Sequence, residues 1–241
     1  MLNTLSPALR EAAPTLANCG VIELRSYTLK PGRRDALIEL FEREFIEPQT
    51  RLGIRLPGLF RDPERADRFV WLRGFASMPA RAAALQGFYD GPVWHAHRDE
   101  ANATMVDSDD VLLLRHVMHV PPGLARSAAP RRWLLGVCPL PSAYSCVSGP
   151  LRAALSALLD RHRRTVHSML ETDPSPNNFA RLPVREGEKV IVCLSAFADD
   201  DAGRSESARW QEDVRDVLRQ HGCDEAPAWT RLAPTRKSHI Q

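Results

Sequence analysis

The stretch Val21-Ile-Glu-Leu-Arg-Ser-Tyr-Thr-Leu-Lys-Pro-Gly32 decides the fold. Successive side chains of a strand point to opposite faces. Ile22, Leu24 and Thr28 therefore share one face, and Glu23, Arg25 and Tyr27 share the other. Pro31-Gly32 ends the strand, and a helical pattern follows over 32–50, with Leu37, Leu40, Phe41 and Phe45 on one stripe. One face of the strand wants an apolar layer. The other carries an acid, a base and a phenol in a row, which either lines a cavity or faces water.

Outward from this strand, the first half reads strand, helix, strand, strand, helix, strand. A short strand is predicted at 54–61 and another at 67–76, where Phe69, Trp71, Arg73 and Phe75 share a face. Ser77 is the expected N-cap of a helix over 78–88. Gly91-Pro92 breaks it, and a second helical piece over 93–105 sets Trp94, His97, Ala101 and Met105 on one side. A strand at 110–120 completes the unit. Residues 121–130 have the small, proline-rich composition of a linker.

The second half repeats the order, with little residue identity to the first. Strand 132–140 precedes a helix over 149–170, with Leu151, Leu155, Leu158, Val166 and Met169 on its stripe. A hairpin of 178–184 and 189–197 turns at Arg185-Glu-Gly187. Helix 205–221 aligns Trp210, Val214, Val217 and Leu218, and 226–232 is a last strand. The predicted class is α+β: tandem ferredoxin-like βαββαβ repeats forming one barrel-like unit. The expected division is a flexible tail at 1–18, domains at 19–120 and 131–241, and a linker at 121–130.

The bulk numbers exclude several classes. In 241 residues, 44% are hydrophobic and 26% charged, and the net charge is only +2. That balance gives no support for nucleic-acid or anionic-membrane binding. No apolar run approaches the roughly 18 residues of a membrane span, and 1–18 lacks the order of a signal peptide. Five cysteines, an odd number without CxxC spacing, argue against a disulfide framework or a zinc site and fit a reducing cytoplasm. There is no P-loop, no GxGxxG after a strand, no GxSxG elbow and no HExxH. No cofactor and no metal is therefore expected.

The first half resembles the NIPSNAP family. The matching residues are Glu23-Leu-Arg25-x-Tyr27, Lys30-Pro31-Gly32, the apolar 69–75 strand, Ser77-x-x-x-Arg81 and Gly91-Pro-Val-Trp94, spanning about 21–116. The second half lacks the first block and reads as a degenerate second copy. The resemblance implies a dimeric α+β barrel in which two ferredoxin-like units pair their sheets around a cavity, within one chain or across a homodimer. Related barrel families include cofactor-free monooxygenases, haem enzymes and small-molecule-binding proteins, so fold alone does not name the reaction.

The candidate site is the row and its partners. Arg25 would orient an anionic or carbonyl substrate, with Tyr27 in proton transfer. Glu23 reads first as a structural ion pair, and otherwise as part of the pocket wall. Trp71 is a flat pocket wall or core, and Arg73, set between two aromatics, a stacked or ion-paired arginine. Trp94 and His97 share a helix face. His97 could act as a base or haem ligand, but reads more simply as a packed histidine. His116, on a face with Leu112 and Leu114, joins Arg25 and Tyr27 as a catalytic candidate.

Two functions follow. One is a cofactor-independent enzyme, of monooxygenase or isomerase type, acting on a small apolar or aromatic molecule in the barrel cavity. The other is a non-catalytic ligand-binding or protein-interaction module. Haem binding ranks last. A homodimer is expected because exposed sheet edges favour pairing.

Overall fold

The computed structural model describes residues 16–117, 131–144, 146–162 and 166–240. Strand β1 (Val21–Leu29) leads into α1 (Arg34–Leu40), a π-helical turn (Phe41–Phe45) and α2 (Ile46–Arg51). Strands β2 (Arg55–Arg61) and β3 (Arg68–Phe75) follow, then α3 (Met78–Tyr89), α4 (Pro92–Asn102), the short β4 (Met105–Asp107) and β5 (Val111–His116). The second half runs β6 (Arg131–Pro139), α5 (Gly149–Arg161), β7 (Val166–Thr172), β8 (Val190–Ala198), α6 (Asp201–Gln220) and β9 (Ala228–Pro234). The expected cap is present: the Ser77 hydroxyl accepts from the Ala80 N–H at 3.3 Å.

The strands form one sheet in the order β3-β2-β9-β6-β8-β7-β5-β1-β4, and β3 also pairs with β1. That last pairing closes eight antiparallel strands into a barrel within the single chain, with β4 as a short appendage on β1. Each half contributes four strands, and the halves join at β2–β9 and β5–β7. The architecture is thus mixed α and β, as expected.

Three apolar layers hold it. Ile22, Leu24, Phe60, Leu72, Leu114, Trp133, Val192 and Leu232, drawn from both halves, fill the barrel interior. Tyr27, Trp71 and Phe75 pack outward against Leu37, Phe41, Phe45, Leu85 and Phe88 of the first-half helices. Leu134, Met169, Cys193 and Phe197 pack outward against α5 and α6. An eight-stranded barrel is just wide enough for side chains or for one small ligand, and here these buried side chains occupy it, so the lumen is core.

Two sequence expectations need correction. The helix over 149–170 stops at Arg161, and Val166 and Met169 belong to β7. Short apolar runs fit both periods, and here the gap between β5 and β8 demands a strand. The predicted strand at 178–184 is irregular chain, because β8 takes β7 as its partner. Of the expected tail, 1–15 lie outside the described residues, and Leu16–Asn18 form a 3-10 turn whose Leu16 packs into the barrel core. The linker 121–130 also lies outside them. Among the described residues no helix is long and apolar enough to cross a membrane.

Candidate active site

Register builds the site from β1 and β3. Glu23 lies opposite Arg73, Arg25 opposite Trp71 and Tyr27 opposite Phe69. Their side chains stand on the helix-covered face. The Arg25 guanidinium lies over Tyr27 and Trp71 at 5.4 and 5.5 Å, and that of Arg73 over Trp71 and Phe75 at 5.3 and 5.6 Å. Cations and aromatic rings therefore alternate along the two strands, the contact an arginine makes best.

One carboxylate anchors three guanidinium groups. Arg25 Nη1 donates to Glu23 Oε2 at 2.8 Å, Arg73 Nε to the same oxygen at 2.5 Å, and Arg81 Nε of α3 to Oε1 at 2.6 Å. All four residues are almost completely buried. Burial pushes the Glu23 carboxyl up, but Arg73, Arg25 and Arg81 outweigh it and hold it well below the usual carboxylate range. Two positive charges remain without a carboxylate in this network, and Arg73 Nη1, Arg73 Nη2 and Arg81 Nη2 are buried without an acceptor.

Arg25 Nε also donates to the Tyr27 hydroxyl at 3.1 Å. Burial raises the Tyr27 pKa despite Arg25, with Tyr89 adding to the rise, so the phenol stays protonated and can donate. Beside it lies a chamber of about 30 Å³ bounded by Tyr27, Trp71, Gln49, Tyr89, Trp94 and the π-turn residues Phe41 and Phe45. Trp71 Nε1 and Gln49 Oε1 are buried there without partners. This space suits one water-sized group. A π-turn as roof fits a functional position.

The connection 173–189 crosses from the second half to cover this region. Asn177 Oδ1 and Asn178 Oδ1 accept from Arg81 Nη1 at 3.1 and 2.7 Å, and Asn178 Nδ2 donates to the Met78 carbonyl at 2.6 Å. Phe179, the one buried residue of the connection, sits 6.0 Å from the Tyr89 ring. Arg181 pairs with Asp90 at 2.8 Å, and Arg185 with Asp110 at 3.0 Å.

The first half is similar to known proteins over most of its length. Residues 22–119 match the NIPSNAP family. No curated protein matches the chain significantly in sequence. Among solved structures, a candidate monooxygenase from Lactobacillus acidophilus is 11% identical at a TM-score of 0.54, covering 89% of this chain and 93% of that one. Another from Fusobacterium nucleatum is 7% identical at a TM-score of 0.55, covering 89% and 91%. A NIPSNAP-like domain protein from Burkholderia xenovorans is 26% identical over 46% of this chain and 88% of its own, at a TM-score of 0.36. The two longer matches share the whole-chain fold.

The structure brings together five of the eight candidate residues: Glu23, Arg25, Tyr27, Trp71 and Arg73. Trp94 joins them at the chamber wall. The sequence expectation that the row looks into the barrel is corrected: it looks into the layer beneath the helices. The packed lumen has no room for charges, whereas the helix side supplies polar partners. His97 lies apart, half-buried, 3.6 Å from both Glu44 and Glu100. His116 stands on the barrel-interior face near the opposite end of β1, where Nε2 meets the Leu16 carbonyl at 2.8 Å. It is therefore separated by the sheet from Arg25 and Tyr27.

The reading of the NIPSNAP segment as sequence overlooked Arg81 as a site residue. The signal was present, since Arg81, Ala84, Leu85 and Phe88 form the buried stripe of α3. Gln49, Tyr89, Asn177 and Asn178 gave no comparable signal.

Proposed function

We propose that this chain is a cofactor-independent small-molecule enzyme that stabilises negative charge on a carbonyl-bearing, apolar or aromatic substrate beneath the NIPSNAP helices. The observation that carries this reading is the excess of buried guanidinium charge beside a protonated phenol. Uncompensated buried cations cost several kcal/mol each, and an anion arriving next to them would recover part of that. Arg25 positions Tyr27, and the Tyr27 hydroxyl donates to the oxygen on which charge develops, as in an oxyanion hole. With the substrate's carbon-bound proton passing to water, enolate formation of this kind begins isomerisations, and also oxygenations in which dioxygen is the co-reactant. Lifting of residues 173–189 would admit the substrate. The fold shared with candidate monooxygenases supports the oxygenation branch.

In the same reading, the halves 19–120 and 131–241 are tandem ferredoxin-like repeats, since each pairs its strands in the order fourth, first, third, second. A cytoplasmic setting is consistent with five cysteines outside any disulfide. Because the ring closes within the chain, a homodimer would join through helices or loops rather than sheet edges.

The test is proton–deuterium exchange and oxygen uptake with a panel of enolisable phenolic ketones. Tyr27→Phe should lower turnover by about 10²- to 10³-fold while staying folded, with a stability loss of about 1–3 kcal/mol from the unpaired Arg25 Nε. Absence of exchange and uptake across the panel overturns the enzyme reading. A second reading, a non-catalytic protein-interaction module, is favoured by the chamber of about 30 Å³, far below the roughly 300 Å³ of an ordinary ligand pocket. Absence of saturable binding by every panel member would support it.

A further inference from the structure

A groove of about 430 Å³ opens on the second half, between the first three turns of α6 and strands β6 and β9, apart from the Arg25–Tyr27 chamber. Its floor is aromatic. Trp229 lies opposite Gly136, and a Cβ on Gly136 would come within 2.3 Å of the indole ring. The missing side chain thus lets the ring rest against the sheet. Phe197 and Leu134 extend this floor, and Ser207 of α6 leaves it uncovered.

The rim carries three arginines, each held by an exposed carboxylate. Arg132, Arg204 and Arg231 line the groove with a single carboxylate, Glu64. Arg231 pairs with Glu64 at 2.6 Å, Arg132 with Asp199 and Arg204 with Asp201. These pairs are solvent-exposed and contribute little in water, so an anion in the groove can compete for the guanidinium groups. The indole N–H of Trp229, a lining residue, is buried without an acceptor.

We propose that this groove binds a planar aromatic anion, with its rings on Trp229 and its acidic group among Arg132, Arg204 and Arg231. The volume suits a two- or three-ring compound. This site is independent of the reaction proposed above.

The probe is anilinonaphthalene sulfonate, titrated into the intact protein while tryptophan emission and probe fluorescence are followed. Its uncharged analogue phenylnaphthylamine is the control. One saturable site is expected, with quenching of tryptophan emission. Ser207→Phe, which fills the groove from a half-buried helix position, should weaken the sulfonate by about tenfold or more. Arg231→Ala should weaken the sulfonate several-fold and leave phenylnaphthylamine unchanged, and Tyr27→Phe should alter neither. Non-saturable uptake overturns the proposal, as does Ser207→Phe binding like wild type. Equal loss of both probes in Arg231→Ala overturns the anionic part.

Discussion

Arg81 joins Glu23 of β1 to Asn178 of the second half: its Nε reaches Glu23 at 2.6 Å and its Nη1 reaches Asn178 at 2.7 Å. The charge network of one half is thereby completed by a loop of the other. The barrel supplies the rigid frame, and the connection 173–189 supplies the last polar contacts. Connections longer than about 12–15 residues without regular structure are uncommon and usually functional.

Glu23 is the only carboxylate in this network, so Glu23→Gln leaves three buried guanidinium groups without a counter-charge. Breaking a buried pair typically costs about 3–5 kcal/mol, which urea denaturation measures as a lower midpoint at unchanged slope. The folded-state pKa is depressed below the unfolded value of 4.5. The carboxylate's contribution is thus present above that pH and lost as pH falls below it. Glu23→Gln should lack this component of acid unfolding. A loss below about 1 kcal/mol would mean the cations are compensated elsewhere.

His167 supplies a second, milder pH effect. Burial lowers its pKa from 6.5 to about 4, and its Nδ1 meets Ser168 Oγ at 3.0 Å. Between those values the unfolded chain binds more protons than the folded one, so stability should fall as pH falls through that window. His167→Gln should flatten the slope of unfolding free energy against pH there. An unchanged slope would place the titrating group elsewhere.

Phe179 pins the connection 173–189 to Tyr89. Phe179→Ala removes its one buried side chain, with a stability loss of about 2–4 kcal/mol, at or below the range for core phenylalanines. Limited proteolysis should then cut within 173–189 faster than in wild type, with the barrel fragments still associated. Equal cutting rates would show that the polar contacts alone hold the loop.

Gly136→Ala should destabilise by about 1–3 kcal/mol, because the new methyl group collides with the Trp229 ring. Tryptophan emission should shift with it. At Gly149 a Cβ would meet nothing within 4 Å, so Gly149→Ala should stay within about 0.5 kcal/mol of wild type.

Much of the frame could be read along the chain. The alternation from Val21 to Leu29 placed Glu23, Arg25 and Tyr27 on one face, and the same rule grouped Trp71 with Arg73. The Ser77 cap and the apolar stripe of 205–221 also corresponded to α3 and α6. The element 149–170 misled because Val166 and Met169 fit a helical stripe as well as a strand. His116 misled because facing a core and facing a reactive group look alike in one dimension.

Local period is a property of neighbouring residues, and so the sequence by itself determined which side chains stand together on each strand. Which side of the sheet receives the helices is a property of ring closure through β1–β3, β2–β9 and β5–β7, contacts between residues far apart in the chain. Only the tertiary structure could therefore set the charged row beneath the helices, exclude it from the packed lumen and bring Asn177 and Asn178 to Arg81. The physical reason is that this ring's interior is packed mainly with apolar side chains from both halves, so a cluster of charges is held where a second layer can bond to it.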